Sequence, residues 1–318
     1  MTGALVQAAK LEPRVLLSAM PIGPEFQVNT FTTGAQGTNT ETGRRLAMDA
    51  AGNFVVVWSS NGQDGSGAGI YAQRYDADGV ALGGEFQVNT YTTNNQLRAS
   101  VAMDADGDFV VTWESFGQDG DFYGVYAQRF DAAAVAQGTE FQVNDYTTGF
   151  QYQSQVAMDD AGNFVVTWTS GEFDVNGFTD VLARRYDADG TALGGAFRVN
   201  TYTTNTQWYS TVAMDADGDF VIAWQTERAP GPYGVYAQRY TSAGTAVGSE
   251  FGVSSGRPKV AMSSSGDFVI VTEALGNVVV RPYSANGTPQ GAAIPVETFS
   301  LGSDFDADVA INDDGSFV

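Results

Sequence analysis

The chain has 318 residues, enough for a large core, and sets 37 acidic against 15 basic side chains for a formal charge of −22. That field repels phosphate backbones and anionic lipid surfaces, so neither nucleic-acid binding nor membrane insertion is expected. Histidine and cysteine are both missing, which removes Ser-His-Asp and Cys-His nucleophiles, imidazole-bound zinc, disulfides and iron–sulfur clusters.

In chain order, the first segment is Met1 to Met20, whose apolar character is broken by Lys10, Glu12, Pro13 and Arg14. It lacks the uninterrupted apolar stretch of a secretory signal. Residues 1–23 are expected to be poorly ordered or a short helix. Pro24-Glu-Phe-Gln-Val-Asn29 then reads as a lone strand of a type that recurs later, and from there a repeat occupies the chain. Val101-Ala-Met-Asp-Ala-Asp-Gly-Asp-Phe-Val-Val-Thr-Trp113 returns as Leu46 to Trp58, Val156 to Trp168 and Val212 to Trp224, more weakly as Val260 to Thr272, and begins again at Val309. Met48, Met103, Met158, Met214, Met262 and Ile311 mark spacings of 55, 55, 56, 48 and 49 residues.

Each repeat predicts four short strands. Strand A covers Val101 to Asp104, an Asp106-Gly107 hairpin follows, and strand B, Phe109 to Trp113, is apolar on both faces and therefore buried between neighbours. A loop from Ser115 to Gly124 leads to strand C, Val125 to Asp131, and strand D is Phe141 to Asn144. Four strands in about 50 residues cannot cover both of their faces alone, so the repeats must stack. An all-β propeller of four-stranded blades is the expected architecture over residues 24–318, with repeats starting near 46, 101, 156, 212, 260 and 309. A linear array of sandwiches is the alternative. The lone N-terminal strand D and a last repeat that stops at Val318 predict five complete blades with partial end strands, from a longer or closed propeller.

Several residue sets bear chemistry. Asp104, Asp106 and Asp108, with Asp215, Asp217 and Asp219, alternate carboxylates before and after a glycine, as calcium loops do. The equivalent segments Asp49 to Asn53, Asp159 to Asn163 and Ser263 to Asp267 lose the middle carboxylate and keep the glycine. A hairpin turn accounts for that pattern better than a metal site, so calcium is expected to be possible but not required. Arg74, Arg129, Arg185, Arg239 and Arg281 fill one slot of strand C. A scaffold bond to a repeated acid such as Glu85, Glu140 or Glu250, or to the turn aspartates, is expected there, and blade packing for Trp58, Trp113, Trp168 and Trp224.

Function is expected where the repeats differ. The B–C loops (Ser59 to Gly69, Ser115 to Gly124, Ser170 to Asp180, Gln225 to Gly234) vary, and the D–A loops carry aromatics among amides. Tyr91, Tyr146 and Tyr202 repeat and are assigned to packing, whereas Phe150, Trp208 and Tyr209 are the candidate binding residues. Acids that break the repeat, namely Glu172, Asp174, Glu227 and Glu273, keep a carboxylate-dependent glycoside hydrolase or polysaccharide lyase as the alternative to non-catalytic binding.

Two resemblances come from these strings. Leu11-Glu-Pro-Arg-Val-Leu-Leu-Ser-Ala19 resembles the LEPR-XLL motif near the N-terminus of very large repetitive bacterial proteins. The repeat, with its Phe-Val-Val-x-Trp, Gln-Asp-Gly, Tyr-Ala-Gln-Arg-Tyr and Glu-Phe-Gln-Val-Asn-Thr blocks over residues 24–318, resembles the tandem repeats of giant secreted or surface bacterial proteins. These resemblances imply an extracellular or cell-surface protein that acts in adhesion, matrix structure or binding of extracellular polysaccharide or a surface protein, without a reaction. Thermal unfolding in EDTA and in millimolar calcium tests the turn assignment. The fold is expected to survive EDTA, with at most a small, non-stoichiometric gain from calcium as self-repulsion is relieved.

Overall fold

The computed structural model describes residues 25–37, 43–171, 177–228, 233–274, 277–296 and 307–318. The LEPR-like segment of residues 1–23 lies outside them. Five antiparallel sheets follow one another along the chain. The first holds β1 (Gln36–Gly37), β2 (Leu46–Met48), β3 (Phe54–Asn61), β4 (Ala68–Tyr75) and β5 (Phe86–Gln87), where β1 and β2 both pair with β3 as two pieces of one strand A. The second is β6 (Gln96–Met103), β7 (Phe109–Phe116), β8 (Tyr123–Phe130) and β9 (Ala136–Gln142). The third is β10 (Phe150–Met158), β11 (Phe164–Gly171), β12 (Asp180–Tyr186) and β13 (Phe197–Arg198). The fourth is β14 (Gln207–Met214), β15 (Phe220–Thr226), β16 (Gly234–Tyr240) and β17 (Ala246–Ser255). The fifth is β18 (Arg257–Met262), β19 (Phe268–Ala274), β20 (Asn277–Tyr283) and β21 (Ile294–Pro295). From sheet to sheet, β2, β6, β10, β14 and β18 approach one another, which makes strand A innermost in every blade. This is a β-propeller.

Burial explains the stacking. In β7, Phe109, Val111 and Trp113 pack with Val55, Val57, Ile70 and Ala72 of the first blade, while Val110 faces Val156, Phe164, Val166 and Trp168 of the third. Trp168 enters the second blade's face and Trp224 the third's in the same way. These three indoles are essentially inaccessible to solvent, and truncating such a ring typically costs about 3–5 kcal/mol. Nearer the rim each junction holds three aromatic rings. Phe109 stacks on Phe130 at 5.0 Å within its blade, and Phe86 of the preceding blade meets Phe130 edge-on at 5.5 Å. The same set recurs as Phe141, Phe164 and Tyr186, then Phe197, Phe220 and Tyr240, then Phe251, Phe268 and Tyr283. Phe26 sits 5.1 Å from Tyr75 in the position of a preceding blade's strand D, and Val309, Ile311 and Phe317 pack on the outer face of the fifth blade as a following strand A would.

The turns lock neighbouring blades. Asp159 Oδ1 accepts from the Ala161 and Asn163 amides, and its other oxygen lies where a Cβ on Gly218 would stand, 2.9 Å away. Asp49 with Gly107, Asp104 with Gly162 and Asp215 with Gly266 repeat the arrangement. The strand C arginines reach across as well, but to carbonyls. Arg129 donates to Ala188 O, and Arg239 to Asn286 O at 2.7 Å, in the next blade's C–D turn. The expected acid partners are used elsewhere. Glu85, Glu140 and Glu250 accept from the amides of Thr30, Thr90 and Thr201 in the preceding blade segment. A carbonyl in a tight turn points outward and needs a donor, which a long cationic side chain supplies.

Strands also run further than their apolar cores suggest. Strand A starts at Gln96 rather than Val101, strand B extends through Glu114-Ser115-Phe116, and strand C begins at Tyr123. The polar residues at these ends are held by ladder pairing (Gln96 with Ser115, Ser115 with Gly124), a tertiary constraint that periodicity does not register. Consequently Phe150, Trp208 and Tyr209 belong to strand A and not to D–A loops, and the B–C loop of the second blade shortens to residues 117–122.

Paired glycine substitutions separate turn strain from the inter-blade contact. Gly218 (φ +86°) and Gly248 (φ +71°) are both left-handed, but a Cβ at Gly248 meets nothing within 4 Å. Gly248→Ala should cost about 1 kcal/mol of strain, and Gly218→Ala about 1–3 kcal/mol more from crowding Asp159 and Ser242, as read from chemical denaturation.

Candidate binding site at the channel mouth

Strand A bends where it leaves the blade core. Its register with strand B slips between Leu97 and Ser100, between Tyr152 and Gln155, and between Trp208 and Thr211. At each slip one non-glycine residue takes a left-handed backbone: Arg98 (φ 53°), Gln153 (φ 59°) and Tyr209 (φ 50°). Such bulges re-aim a side chain and cluster at functional sites, because an L-residue holds this conformation only under surrounding constraint.

The three bulges join into one arc around the axis. Arg98 donates to Glu114 Oε2 at 2.7 Å, and Glu114, wholly buried on β7, takes the Gln153 amide on its other oxygen at 2.5 Å. Gln153 Oε1 accepts from Thr169 Oγ1 at 3.2 Å and from the Tyr209 amide at 3.1 Å. Tyr209 OH accepts from Arg257 Nη2 at 3.2 Å, with the guanidinium 4.4 Å from its ring centre. One step deeper, Ser154 pairs with Thr112 at 3.3 Å and Thr167 with Ser210 at 3.1 Å. A network crossing four blades thus fixes the innermost strands. Burial, with Tyr209 and Glu114 nearby, raises the Tyr152 phenol pKa against an opposing effect of Arg98, and burial followed by Glu114 raises that of Tyr123. Both phenols stay neutral and able to donate.

Above this floor stand aromatic rings. Phe150 stacks on Phe122 of the second blade's B–C loop at 4.4 Å. Trp208 meets Tyr209 edge-on at 6.0 Å and Tyr233 at 5.9 Å, and its indole N–H donates to Gln225. Phe122 and Tyr233 are well exposed, whereas Phe150, Trp208 and Tyr209 are half-buried. The candidate residues therefore form two ring groups on neighbouring blades, Phe150 in one and Trp208 with Tyr209 in the other. Of the repeated tyrosines, Tyr202 lies under Arg228, which is itself ion-paired with Glu250 at 2.8 Å. Sequence reasoning passed over Arg98, Gln153, Glu114, Phe122, Tyr233 and Arg257. The available signal was the pair of residues after the repeated Gln96, Gln151 and Gln207, which differs in every blade.

The remaining candidates are placed elsewhere. Glu172 and Asp174 lie outside the described residues. Glu273 Oε2 is 3.5 Å from the Ala307 amide, and Glu227 uses its backbone to meet Thr206. Asp104 Oδ1 accepts the Asp106 and Asp108 amides, Asp215 Oδ1 those of Asp217 and Asp219, and Asp108 and Asp219 cap the adjacent turns at Ala132 and Ser242. Among the described residues no three acidic side chains gather closely enough to hold a metal ion.

No family model and no curated protein sequence matches the chain. Solved structures share its fold. A protein of unknown function from Dyadobacter fermentans is similar with a TM-score of 0.58 at 11% identity, over 86% of this chain and 91% of that one. An alpha-L-arabinanase from Penicillium chrysogenum, complexed with arabinobiose, gives 0.55 at 10% identity over 84% of each chain. An alpha-L-arabinofuranosidase from Fusarium graminearum, in complex with an iminosugar inhibitor, gives 0.51 at 11% identity over 77% and 79%.

The turn aspartates make a pH prediction. Burial raises the Asp104 carboxyl pKa, with hydrogen bonds from its own turn opposing and Asp108 adding to the rise. A carboxyl raised in the folded state is penalised when ionised, and the folded protein gains relative stability as the pH falls and the group protonates. Asp104→Asn, which keeps one oxygen acceptor, should therefore match or exceed the wild type in melting temperature at neutral pH. Wild type should recover on the variant as pH falls toward the ordinary carboxyl range, about pH 4.

Proposed function

We propose that the chain is a non-catalytic binding module of an extracellular or surface protein, and that the face carrying the strand A bulges and B–C loops binds polysaccharide. The observation that carries this reading is the set of half-exposed rings, Trp208, Tyr233, Phe122 and Phe150, seated on a floor of amides, hydroxyls and two guanidiniums. A sugar presents one apolar face and a rim of hydroxyls, and this surface offers a match for both. It is also the part of the molecule where blades differ, on a scaffold otherwise repeated. Binding is favoured over hydrolysis because Glu114, the one wholly buried acid beside the bulges among the described residues, has both oxygens committed, one to Arg98 and one to the Gln153 amide. A hydrolase needs a pair of carboxyls free to exchange protons or attack. The arabinanase that shares this fold holds arabinobiose, so the scaffold accommodates saccharides in that protein. Resemblance to giant exported repeat proteins supplies the setting, and many weak sites along such a protein would add up through avidity.

Because Tyr209 links Gln153 to Arg257 across blades, Trp208 and the exposed Tyr233 are better probes than Tyr209 itself. Loss of one sugar-stacking ring should weaken binding by about fivefold, corresponding to roughly 1 kcal/mol. Trp208→Ala with Tyr233→Ala should reduce retention on a glycan array or a cell-wall fraction while lowering the melting temperature by no more than a few degrees. Reducing ends released from a polysaccharide by the wild type would replace this reading with the hydrolase.

A further inference from the structure

The innermost strands hold no acidic residue among those described, yet Arg98, Arg257 and Lys259 lie on them and Arg44 and Arg45 directly precede β2. Five of the chain's 15 basic residues therefore lie on or next to the innermost strands of a molecule with a net charge of −22. Low-dielectric walls focus the field of such a group into the channel. Most of these cations have internal partners. Arg98 pairs with buried Glu114, Arg45 donates from Nε to Gly43 O at 3.1 Å, and Arg44, partly buried, reaches the Val260 carbonyl at 3.4 Å and feels the charge of Asp308.

Arg257 differs. It is exposed, its guanidinium is held against the Tyr209 ring, and a single donor is used, on Tyr209 OH. A guanidinium has five. Among the described residues no carboxylate pairs with it. Glu273, directly opposite in the ladder, instead places Oε2 3.5 Å from the Ala307 amide. The result is a positively charged fork, immobilised on an aromatic ring beside Trp208 and Tyr233, with most of its donors available. A planar guanidinium in this state matches a carboxylate bidentately.

We infer that the channel mouth takes a carboxylate-bearing sugar, a uronic acid residue of an acidic polysaccharide, with Arg257 as its charge partner and Trp208 and Tyr233 as the neighbouring ring surfaces. This deepens the polysaccharide-binding reading and rests on it. The overall negative charge opposes a polyanion only weakly at this site, since charges more than about 8 Å away are largely screened at physiological ionic strength. A nucleic acid would need a track of available cations along its backbone, whereas Arg98 and Arg44 are engaged internally and Arg257 offers its donors singly.

The test is calorimetric titration of the whole chain with oligogalacturonate and with the same oligomer fully methyl-esterified, alongside Arg257→Gln and Arg257→Lys. The wild type should prefer the acid by about tenfold, as one charge-assisted bidentate contact implies. Arg257→Gln should bring the acid down to the level of the ester and leave the ester unchanged, with Arg257→Lys between. Unchanged melting temperatures establish that the variants are folded. Equal binding of acid and ester, or an equal loss of both in Arg257→Gln, overturns the carboxylate assignment while leaving the polysaccharide reading in place. A stronger response to a sulfated oligosaccharide than to oligogalacturonate also overturns it. Failure of acidic, esterified and neutral glycans alike removes the polysaccharide reading and this inference with it.

Discussion

A four-stranded blade has two apolar faces and can bury neither by itself, and the rest of this structure follows from that. Strand B carries the consequence most plainly. Phe109, Val111 and Trp113 belong to one interface and Val110 to the next, so a single run of apolar residues serves two cores. Stability then accrues per interface, as in any repeat architecture, and every residue that shapes an interface must recur in every blade. The phenylalanine of strand B, the aromatic ring of strand C and the phenylalanine of strand D recur for this reason.

The turns obey the same constraint. Their glycines answer both a left-handed backbone and the approach of an aspartate oxygen from the preceding blade, as Gly162, Gly218 and Gly266 show. The asparagine that ends each Phe-Gln-Val-Asn block is equally architectural. Asn89, Asn144 and Asn200 each accept the amide of a strand C residue and donate two residues ahead, to Tyr91, Tyr146 and Tyr202. Such buried amides specify geometry because an unpaired amide there would be costly.

Near the axis the constraint relaxes. Beyond Ser100, Gln155 and Thr211 strand A exchanges most of its apolar packing for hydrogen bonds between blades, and the ladder bulges. The blades diverge there, with Arg98, Gln153 and Tyr209 occupying one structural position with three chemistries. The fold separates charge as well. Many carboxylates sit at the turns, where backbone amides receive them, while the innermost strands carry Arg98, Arg257 and Lys259 and no acid among the described residues.

The period, the strand count, the buried strand B and the tryptophan wedges were legible in the sequence, because they repeat and because apolar runs bounded by Asp-Gly turns have few other solutions. The inner strand was not. Gln96, Gln151 and Gln207 look like loop residues, and become strand only because a neighbouring strand pairs with them and the core closes over their side chains. Phe150, Trp208 and Tyr209 stand out in the sequence as residues that break the repeat, but their grouping on two blades depended on which strand end each occupies. The strand C arginines were recognised as scaffold, while their acceptors, turn carbonyls rather than acids, depend on how one blade sits against the next. The sequence by itself determined that blades form and stack, since that follows from local period and burial. Tertiary structure alone decided which side chains face the axis together, because residues some 50 positions apart meet there only through the rotation from one blade to the next.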